Sequence, residues 1–160
     1  MMRILVMSDT HGDLRNAQKA IQKSGKLDMI IHLGDIIGQD EQLKEMCDCP
    51  VRVVKGNGDF YTENKPVEVI DLGKNKIFAT HGHQYAVDWG LDRLCYAAQE
   101  QGCNIAMYGH THIPDVSYNG GVTLINPGSI SRPRQLNRKP TYVLMEIDDE
   151  GEARFSVNYV

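Results

Sequence analysis

The stretch Arg3-Ile4-Leu5-Val6-Met7-Ser8-Asp9-Thr10-His11-Gly12-Asp13 decides the fold, because an apolar run passes there directly into a polar turn. The run 4–7 is short, unbroken and rich in branched residues, which is typical of a strand buried on both faces. Asp9 and His11 then stand one residue apart, and Gly12 lets the chain turn. Ligands of open α/β sheets gather at the carboxyl ends of the strands. The stretch therefore predicts a divalent-cation site at a strand end or, as the alternative, an ordinary surface turn.

The length and composition of the chain indicate one domain spanning 1–160. A domain of about 150 residues buries roughly 70% of its unfolded surface and needs no disulfide or metal staples. The net charge of −4 gives no basic footprint for nucleic acid, and no apolar run approaches the roughly 20 residues of a membrane span. The N-terminus shows no secretory leader, and the four cysteines form no Cys-x-x-Cys pair. We therefore expect a cytoplasmic protein with reduced cysteines and no membrane or nucleic-acid partner.

The first third of the chain alternates strands with helices. Apolar residues at helical spacing predict a helix over 14–24, and Gly25 suits its end. Two more apolar runs, at 29–33 and 50–54, flank a short helix for which Asp40 is the expected N-cap. This β-α-β-α-β order predicts a parallel sheet.

The rest of the chain is richer in strands. Two hairpins are predicted around the turns 73–76 and 119–121, and one helix, with apolar positions from 91 to 98, ends at Gly102. Further strands are predicted at 105–108, 141–147 and 153–159. Trp89 and Tyr96 are expected to pack against the helix, and His32 is expected to be a hydrogen-bonded core histidine. Many strands and few helices indicate two sheets face to face, with helices outside.

Polar residues follow five of the predicted strands and form one set of candidate metal ligands. Oxygen and imidazole ligands without thiolate suit Mn²⁺, Fe, Zn²⁺, Ni²⁺ or Mg²⁺ better than a soft metal. Seven ligands are too many for one ion with an open position, but they suit two ions that share a carboxylate and lie about 3.5–4 Å apart. The seven candidates are Asp9, His11, Asp35, Asn57, His81, His110 and His112.

The order and spacing of these motifs resemble the calcineurin-like metallophosphoesterases. The matching motifs are Asp9-x-His11, Gly34-Asp35, Gly56-Asn57, His81-Gly82 and Gly109-His110-x-His112. The segments 80–83 and 126–129 are similar to those of the small YfcE-type phosphodiesterases of that superfamily, and the resemblance extends from Arg3 to Val160. It implies an α/β fold: a four-layer αββα sandwich of two mixed β-sheets flanked by helices, with the site at one edge.

The resemblance also implies how the ligands divide. The first ion would be held by Asp9, His11, Asp35 and His112, and the second by Asp35, Asn57, His81 and His110. Asp35 would bridge the two ions. The implied activity is dinuclear-metal-dependent hydrolysis of a small or nucleotide-like phosphodiester by a metal-bridging hydroxide. Mn²⁺ is the first choice of metal, with Ni²⁺, Fe²⁺, Zn²⁺ and Mg²⁺ as alternatives.

One motif departs from the superfamily pattern, because Gly58 stands where Gly-Asn-His-Asp/Glu has a histidine that contacts phosphate or protonates the leaving group. Loss of a proton donor costs about 10²–10⁴-fold in rate for poor leaving groups. Asp59 is expected to orient Asn57 or a histidine, and His83 to face substrate or solvent. Arg132 or Arg134 is a candidate phosphate contact. Phe60 and Tyr61 suit a substrate pocket and a subunit interface equally well.

Two other functions compete with the phosphodiesterase. The first is a non-catalytic interaction scaffold, since the retromer subunit shares this fold and serves as an interaction surface. That subunit lacks part of the ligand set, whereas all seven positions carry competent ligands here. The second is a nuclease, which the short chain and its mild acidity disfavour. The natural substrate, the physiological metals and the oligomeric state, including a homo-oligomer, are open from the sequence.

Overall fold

Ten strands and three α-helices make up the computed structural model, which describes residues 1–160. The helices are α1 (Arg15–Ser24), α2 (Asp40–Glu45) and α3 (Asp92–Glu100), and a single 3₁₀ turn covers His83–Tyr85. The strands are β1 (Met2–Met7), β2 (Met29–His32), β3 (Val51–Val53), β4 (Val67–Leu72), β5 (Asn75–Thr80), β6 (Ile105–Met107), β7 (Pro114–Asn119), β8 (Val122–Pro127), β9 (Thr141–Ile147) and β10 (Ala153–Tyr159).

The strands form two mixed sheets. The first has the order β10-β9-β1-β2-β3, and its β1, β2 and β3 are parallel, as the β-α-β-α-β pattern predicts. The second has the order β4-β5-β6-β8-β7. Its three central strands, β5, β6 and β8, are parallel, while β4 and β7 pair with them as antiparallel hairpin strands.

The alternating side-chain directions along β1 show why two sheets and the flanking helices form four layers. Ile4 and Val6 point to one face, where they pack with Met107 and other apolar residues of the second sheet. Leu5 and Met7 point to the opposite face and pack with residues of α1 and α2. Helix α3 covers the outer face of the second sheet in the same way. The predicted αββα sandwich is therefore confirmed.

The parallel strands of both sheets run toward one edge of the sandwich. There β1, β2 and β3 pass into the loops that begin at Ser8, Leu33 and Val54, while β5 and β6 pass into those at His81 and Tyr108. Polar loop residues from both sheets can therefore meet at this edge. No helix of the structure has the length and apolar character needed to cross a membrane.

Several local predictions are tested by the packing. His32 is buried, with its ring nitrogens within hydrogen-bond distance of Thr10 Oγ1 and Gly34 N, so the core-histidine prediction is confirmed. The prediction for Trp89 and Tyr96 is wrong, because their exposed fractions are 92% and 63%. Trp89 lies in the loop before α3, and Tyr96 lies off its buried stripe of Leu94, Cys95 and Ala98. Asp40 is the first residue of α2 rather than its N-cap.

Candidate metal centre

All seven candidate ligands lie at the shared edge, within one network of contacts. Asp9 and His11 follow β1, Asp35 follows β2, and Asn57 follows β3. His81 follows β5, and the two remaining histidines follow β6. The first sheet therefore supplies both carboxylates, and the second sheet supplies three of the four imidazoles.

The first group of ligands is Asp9, His11 and His112. Asp9 Oδ1 lies 3.3 Å from His112 Nε2 and 3.6 Å from His11 Nε2. The two imidazole Nε2 atoms are 3.2 Å apart. One carboxylate oxygen and two imidazole nitrogens thus converge on one point, as three ligands of one cation do.

The second group is centred on Asp35 and His81. Asp35 Oδ2 lies 3.3 Å from His81 Nε2 and 3.6 Å from His11 Nε2. It therefore faces ligands of both groups, which is the placement that a bridging carboxylate needs. Asp9 Oδ1 is also 3.8 Å from His81 Nε2, so the two carboxylates lie side by side between the imidazoles.

Backbone carbonyls fix the orientation of two of the imidazoles. His81 Nδ1 lies 2.6 Å from Leu33 O, and His112 Nδ1 lies 2.6 Å from Arg132 O. A nitrogen this close to a carbonyl carries a proton, so Nε2 is the nitrogen that faces the carboxylates and is available to a cation. A hydrogen bond of this kind holds a metal-ligating histidine in its tautomer and orientation.

Two buried atoms of the centre have no partner within the chain. Asp9 Oδ2 accepts hydrogen bonds from Ser8 Oγ at 2.7 Å and from His110 N at 3.1 Å. Asp9 Oδ1 is buried without a hydrogen-bond partner, and so is His81 Nε2. Buried polar atoms normally have partners, and a carboxylate oxygen with an imidazole lone pair suits a divalent cation. The residues present therefore fit a metal ion.

Histidine contacts keep both carboxylates ionised. Burial raises the pKa of Asp9, but the contacts from His11 and His112 outweigh burial and hold that pKa well below its usual range. Burial also raises the pKa of Asp35, and the contact with His81 more than reverses this. Burial lowers the pKa of His81, whereas Asp35 and Asp9 raise it above its usual value. Two negative charges therefore occupy a buried site near neutral pH.

The ligand loops use backbone conformations that are uncommon for residues with a side chain. Five candidate ligands have a positive φ, in the left-handed region where aspartate and histidine are enriched among non-glycine residues. Their φ values are 57° for Asp9, 48° for His11, 57° for Asp35, 69° for His110 and 61° for His112. Such residues cluster at functional sites because the surrounding structure holds them there.

Close approach of the loops requires a glycine at Gly56 and at Gly109. A Cβ atom at Gly56 would overlap the carboxylate and the backbone nitrogen of Asp35. A Cβ atom at Gly109 would overlap the Ser8 hydroxyl. The glycines of the Gly-Asn and Gly-His motifs therefore let neighbouring strand ends meet at the centre.

Asp59 joins two loops instead of orienting a ligand side chain. Its Oδ2 accepts hydrogen bonds from the backbone N–H groups of Asp35 and Gly56, both at 2.8 Å. Its Oδ1 accepts one from Ile37 N at 2.9 Å. The expectation that Asp59 orients Asn57 or a histidine is corrected, because all three of its hydrogen bonds come from backbone N–H groups and none from Asn57 or a histidine.

His110 and Asn57 form the outer part of the centre, together with a residue that the motifs did not reveal. His110 Nδ1 lies 3.2 Å from Asn57 Oδ1, and His110 Nε2 lies 2.9 Å from Asp88 Oδ2. The His110 and His81 ring centroids are 5.2 Å apart, which connects this pair to the buried ligands. Asp88 lies in the irregular segment before α3 and belongs to no motif, so no local signal pointed to it.

The candidate substrate contacts lie at different depths. The His83 ring centroid is 5.5 Å from that of His81 and 6.1 Å from that of His110, so His83 borders the centre. Burial, followed by the charges of His81 and His110, lowers the pKa of His83. Arg134 is exposed and forms no ion pair, although its backbone N–H donates to His112 O at 3.0 Å. Arg132 is exposed as well.

Comparison with known proteins agrees with this geometry. The chain matches the calcineurin-like phosphoesterase superfamily domain over residues 2–150. It is 28% identical to phosphodiesterase YfcE of Escherichia coli, over 84% of this chain and 82% of that protein. A predicted phosphoesterase from Streptococcus pneumoniae has a TM-score of 0.81 and 36% identity, with 98% of both chains covered. A Vps29 variant from Entamoeba histolytica has a TM-score of 0.80 and 25% identity, with 99% of both chains covered.

Proposed function

Because the chain belongs to the calcineurin-like phosphoesterase superfamily, we propose that it is a metal-dependent phosphodiesterase acting on a small or nucleotide-like phosphodiester. The observation that carries the proposal is a pair of buried atoms without a hydrogen-bond partner, Asp9 Oδ1 and His81 Nε2. They lie in a site that also contains the Asp35 carboxylate. Such atoms favour a bound cation, which the proposed activity requires. The similarity to a phosphodiesterase of Escherichia coli supports a diester as substrate.

We assign the ligands to two divalent cations that share Asp35. Asp9, His11, Asp35 and His112 hold the first, and Asp35, Asn57, His81 and His110 hold the second. When bound, two such cations lower the pKa of water and neutralise charge on the phosphoryl oxygens. Mn²⁺ is the first metal to test, followed by Ni²⁺, Fe²⁺, Zn²⁺ and Mg²⁺, because oxygen and imidazole ligands suit all of them.

The remaining residues hold these ligands or contact the substrate. Asp59 ties the loop of Asp35 to the loop of Asn57 through backbone hydrogen bonds. Asp88 holds His110 through Nε2, which leaves Nδ1 to face Asn57 and the second cation. His83 borders the centre and is the first candidate for the proton donor that Gly58 cannot be. Arg134 is an exposed, unpaired cation whose backbone contacts that of His112, and it is our candidate contact for a phosphate oxygen.

Metal content and diester hydrolysis, measured together, test the proposal. Apo-protein reconstituted with excess Mn²⁺ should bind close to two ions per chain and hydrolyse bis(p-nitrophenyl) phosphate. His81→Ala should lose most of that activity while keeping its far-UV circular dichroism, since His81 lies beyond the end of β5. A chain with near-zero metal stoichiometry would overturn the whole proposal.

The same experiment separates the enzyme from the scaffold. The structural similarity to Vps29 keeps an interaction scaffold as the second candidate. A protein that binds two ions and still leaves mono- and diesters unhydrolysed, across the metals named above, would favour the scaffold. Turnover that requires Asp35 and His81 would favour the enzyme.

A further inference from the structure

A groove of about 480 Å³ opens beside the outer part of the metal centre. Its walls include Asn57, a candidate ligand, and His83, which borders the centre. Its far side is formed by Phe60, in the loop that directly follows Asn57. A phosphoryl group at the centre would therefore carry one of its ester groups into this groove. The volume is in the range that binds small organic molecules.

The charge around the groove favours an anionic ligand. Lys55 lines it and takes part in no ion pair. The one carboxylate in the lining is Asp59, whose oxygens already accept three backbone hydrogen bonds. Lys55 is therefore a free cation that can pair with a phosphodiester anion, and Asp59 is the only carboxylate of the lining that opposes it.

A second cavity, of about 570 Å³, lies on the other side of Phe60 and has the opposite character. Asp40, Glu41, Glu63 and Asp59, which also borders the groove, line it against the single cation Lys44. It contains none of the seven candidate ligands. Although this cavity is larger, its four carboxylates against one lysine repel an anion, so the groove, with one carboxylate and Lys55, is the better site for the substrate.

Phe60 has an exposed aromatic ring that packs against no other ring, and the loop 55–65 that carries it is fixed by hydrogen bonds at its ends. Its side chain is 78% exposed, and no aromatic pair within the chain includes it. Lys55 N donates to Lys65 O at 2.9 Å, and Asn64 Nδ2 donates to Asp40 Oδ2 at 2.6 Å. A base or aryl ring that stacks on such a face gains affinity without sequence-specific hydrogen bonds.

We propose that this groove binds an aromatic ester group of the substrate, an aryl or nucleoside group, stacked on Phe60 with its phosphate directed to Asn57 and the metal centre. The inference rests on the proposed phosphodiesterase function and adds the substrate class. Tyr61 supplies a matched control, because it is fully exposed beside Phe60 but lines the acidic cavity and not the groove.

Binding of three monophosphates to Mn²⁺-reconstituted protein tests the proposal by calorimetry. Methyl phosphate, phenyl phosphate and thymidine 5′-monophosphate present the same phosphate with and without a ring. The wild type should bind the two aromatic ligands more tightly than methyl phosphate. Phe60→Ala should weaken the aromatic ligands by about 5- to 150-fold and leave methyl phosphate within twofold. Phe60→Trp should keep the preference, and Tyr61→Ala should leave all three affinities within twofold.

The outcomes separate this inference from the proposed function. Equal affinity for methyl and phenyl phosphate in the wild type, or an aromatic preference that survives Phe60→Ala, would overturn the groove assignment. Hydrolysis of bis(p-nitrophenyl) phosphate by the same samples reports the proposed function separately. An aromatic preference that depends on Phe60 in a protein without hydrolysis would overturn the enzyme and leave the groove assignment standing.

Discussion

Replacing Asp35 with asparagine removes one charge from the candidate centre without changing the size of the side chain. Asp35 Oδ1 accepts a hydrogen bond from Gly58 N at 2.7 Å, while Oδ2 faces His81 and His11. An asparagine with its oxygen toward Gly58 keeps the hydrogen bond and places its NH₂ group where Oδ2 stood. An NH₂ group donates hydrogen bonds and offers no lone pair to a cation. The variant therefore loses the shared ligand while its loop keeps its shape.

The expected effect of Asp35→Asn on the free energy of unfolding differs with and without metal. Without metal, the free energy of unfolding should change by less than about 1.5 kcal/mol, because the hydrogen bond to Gly58 is retained. With Mn²⁺ at about 100 to 1,000 times its dissociation constant, each bound ion stabilises the wild type by about 2.7–4.1 kcal/mol, and Asp35→Asn should lose that gain for at least one ion. Metal chemistry supplies several kcal/mol to the reaction, so kcat/KM should fall at least about 100-fold.

Urea unfolding in chelator and in excess Mn²⁺, with metal analysis and diester hydrolysis, measures all three effects. Asp71→Asn is the matched control, because Asp71 pairs with Lys76 at the end of the β4–β5 hairpin opposite Thr80 and the centre. It should change neither the Mn²⁺ gain nor the rate. If Asp35→Asn binds two ions, gains as much stability from Mn²⁺ as the wild type and keeps its turnover, the shared-ligand assignment is refuted.

Three further predictions concern Asp88, His32 and Gly58. Asp88→Asn weakens the hold on His110, so a Mn²⁺ titration should show about a 10- to 100-fold loss of affinity for one ion; equal losses at both ions would contradict the assignment. Burial lowers the pKa of His32 from 6.5 to about 4, so between these values the unfolded chain binds a proton that the folded chain does not. Urea unfolding of the metal-free proteins measures this effect. From pH 7 to pH 4, the free energy of unfolding of the wild type should fall about 3 kcal/mol more than that of His32→Asn. An equal fall in the two proteins would contradict the lowered pKa of His32. Gly58 has no positive φ, but a Cβ atom there would lie 3.1 Å from Asp35 Oδ1 and 3.2 Å from Ile37 Cδ1, so Gly58→His requires these side chains to move by a few tenths of an ångström. Provided that metal analysis finds the metal content of the wild type, the variant should raise the ratio of alkyl to nitrophenyl diester turnover about 100-fold or more. Gly58→Ala should leave that ratio unchanged, and a wild-type rate independent of leaving-group pKa would show that another group, with His83 first to test, supplies the proton.

The fold could be predicted from the sequence because its signals are local. Each strand is a short apolar or alternating run that ends in turn residues, and α1 and α3 carry a clear apolar stripe. The candidate ligands follow strands that run in parallel, so their meeting at one edge follows from topology alone. The assignment of individual ligands to each of the two ions came from the family resemblance, because neither the spacing of the motifs nor the composition determines it.

The parts that sequence reasoning missed depend on contacts between distant segments. Asp88 reaches His110 across an irregular segment, and nothing near Asp88 in the chain indicates that partner. Asp59 was assigned to a neighbouring ligand because it adjoins the Asn57 motif, yet two of its three donors, Asp35 and Ile37, belong to another loop. Trp89 was expected to pack against the helix, whereas it lies in the loop before α3 and is exposed.

Without metal, the centre contains unfavourable interactions that a bound cation would relieve. These interactions help to distinguish an enzyme from a scaffold. Five candidate ligands hold a positive φ, so the shape of their loops is set before any cation binds. Asp9 and Asp35 both face His81 from a buried position with like charges, and Asp9 Oδ1 gains no hydrogen bond. A scaffold would be stabilised by exchanging these groups for apolar residues of similar size. In a metal-dependent enzyme the same groups have a function, because its ligands must be oriented, ionised and free of other partners before a divalent cation binds.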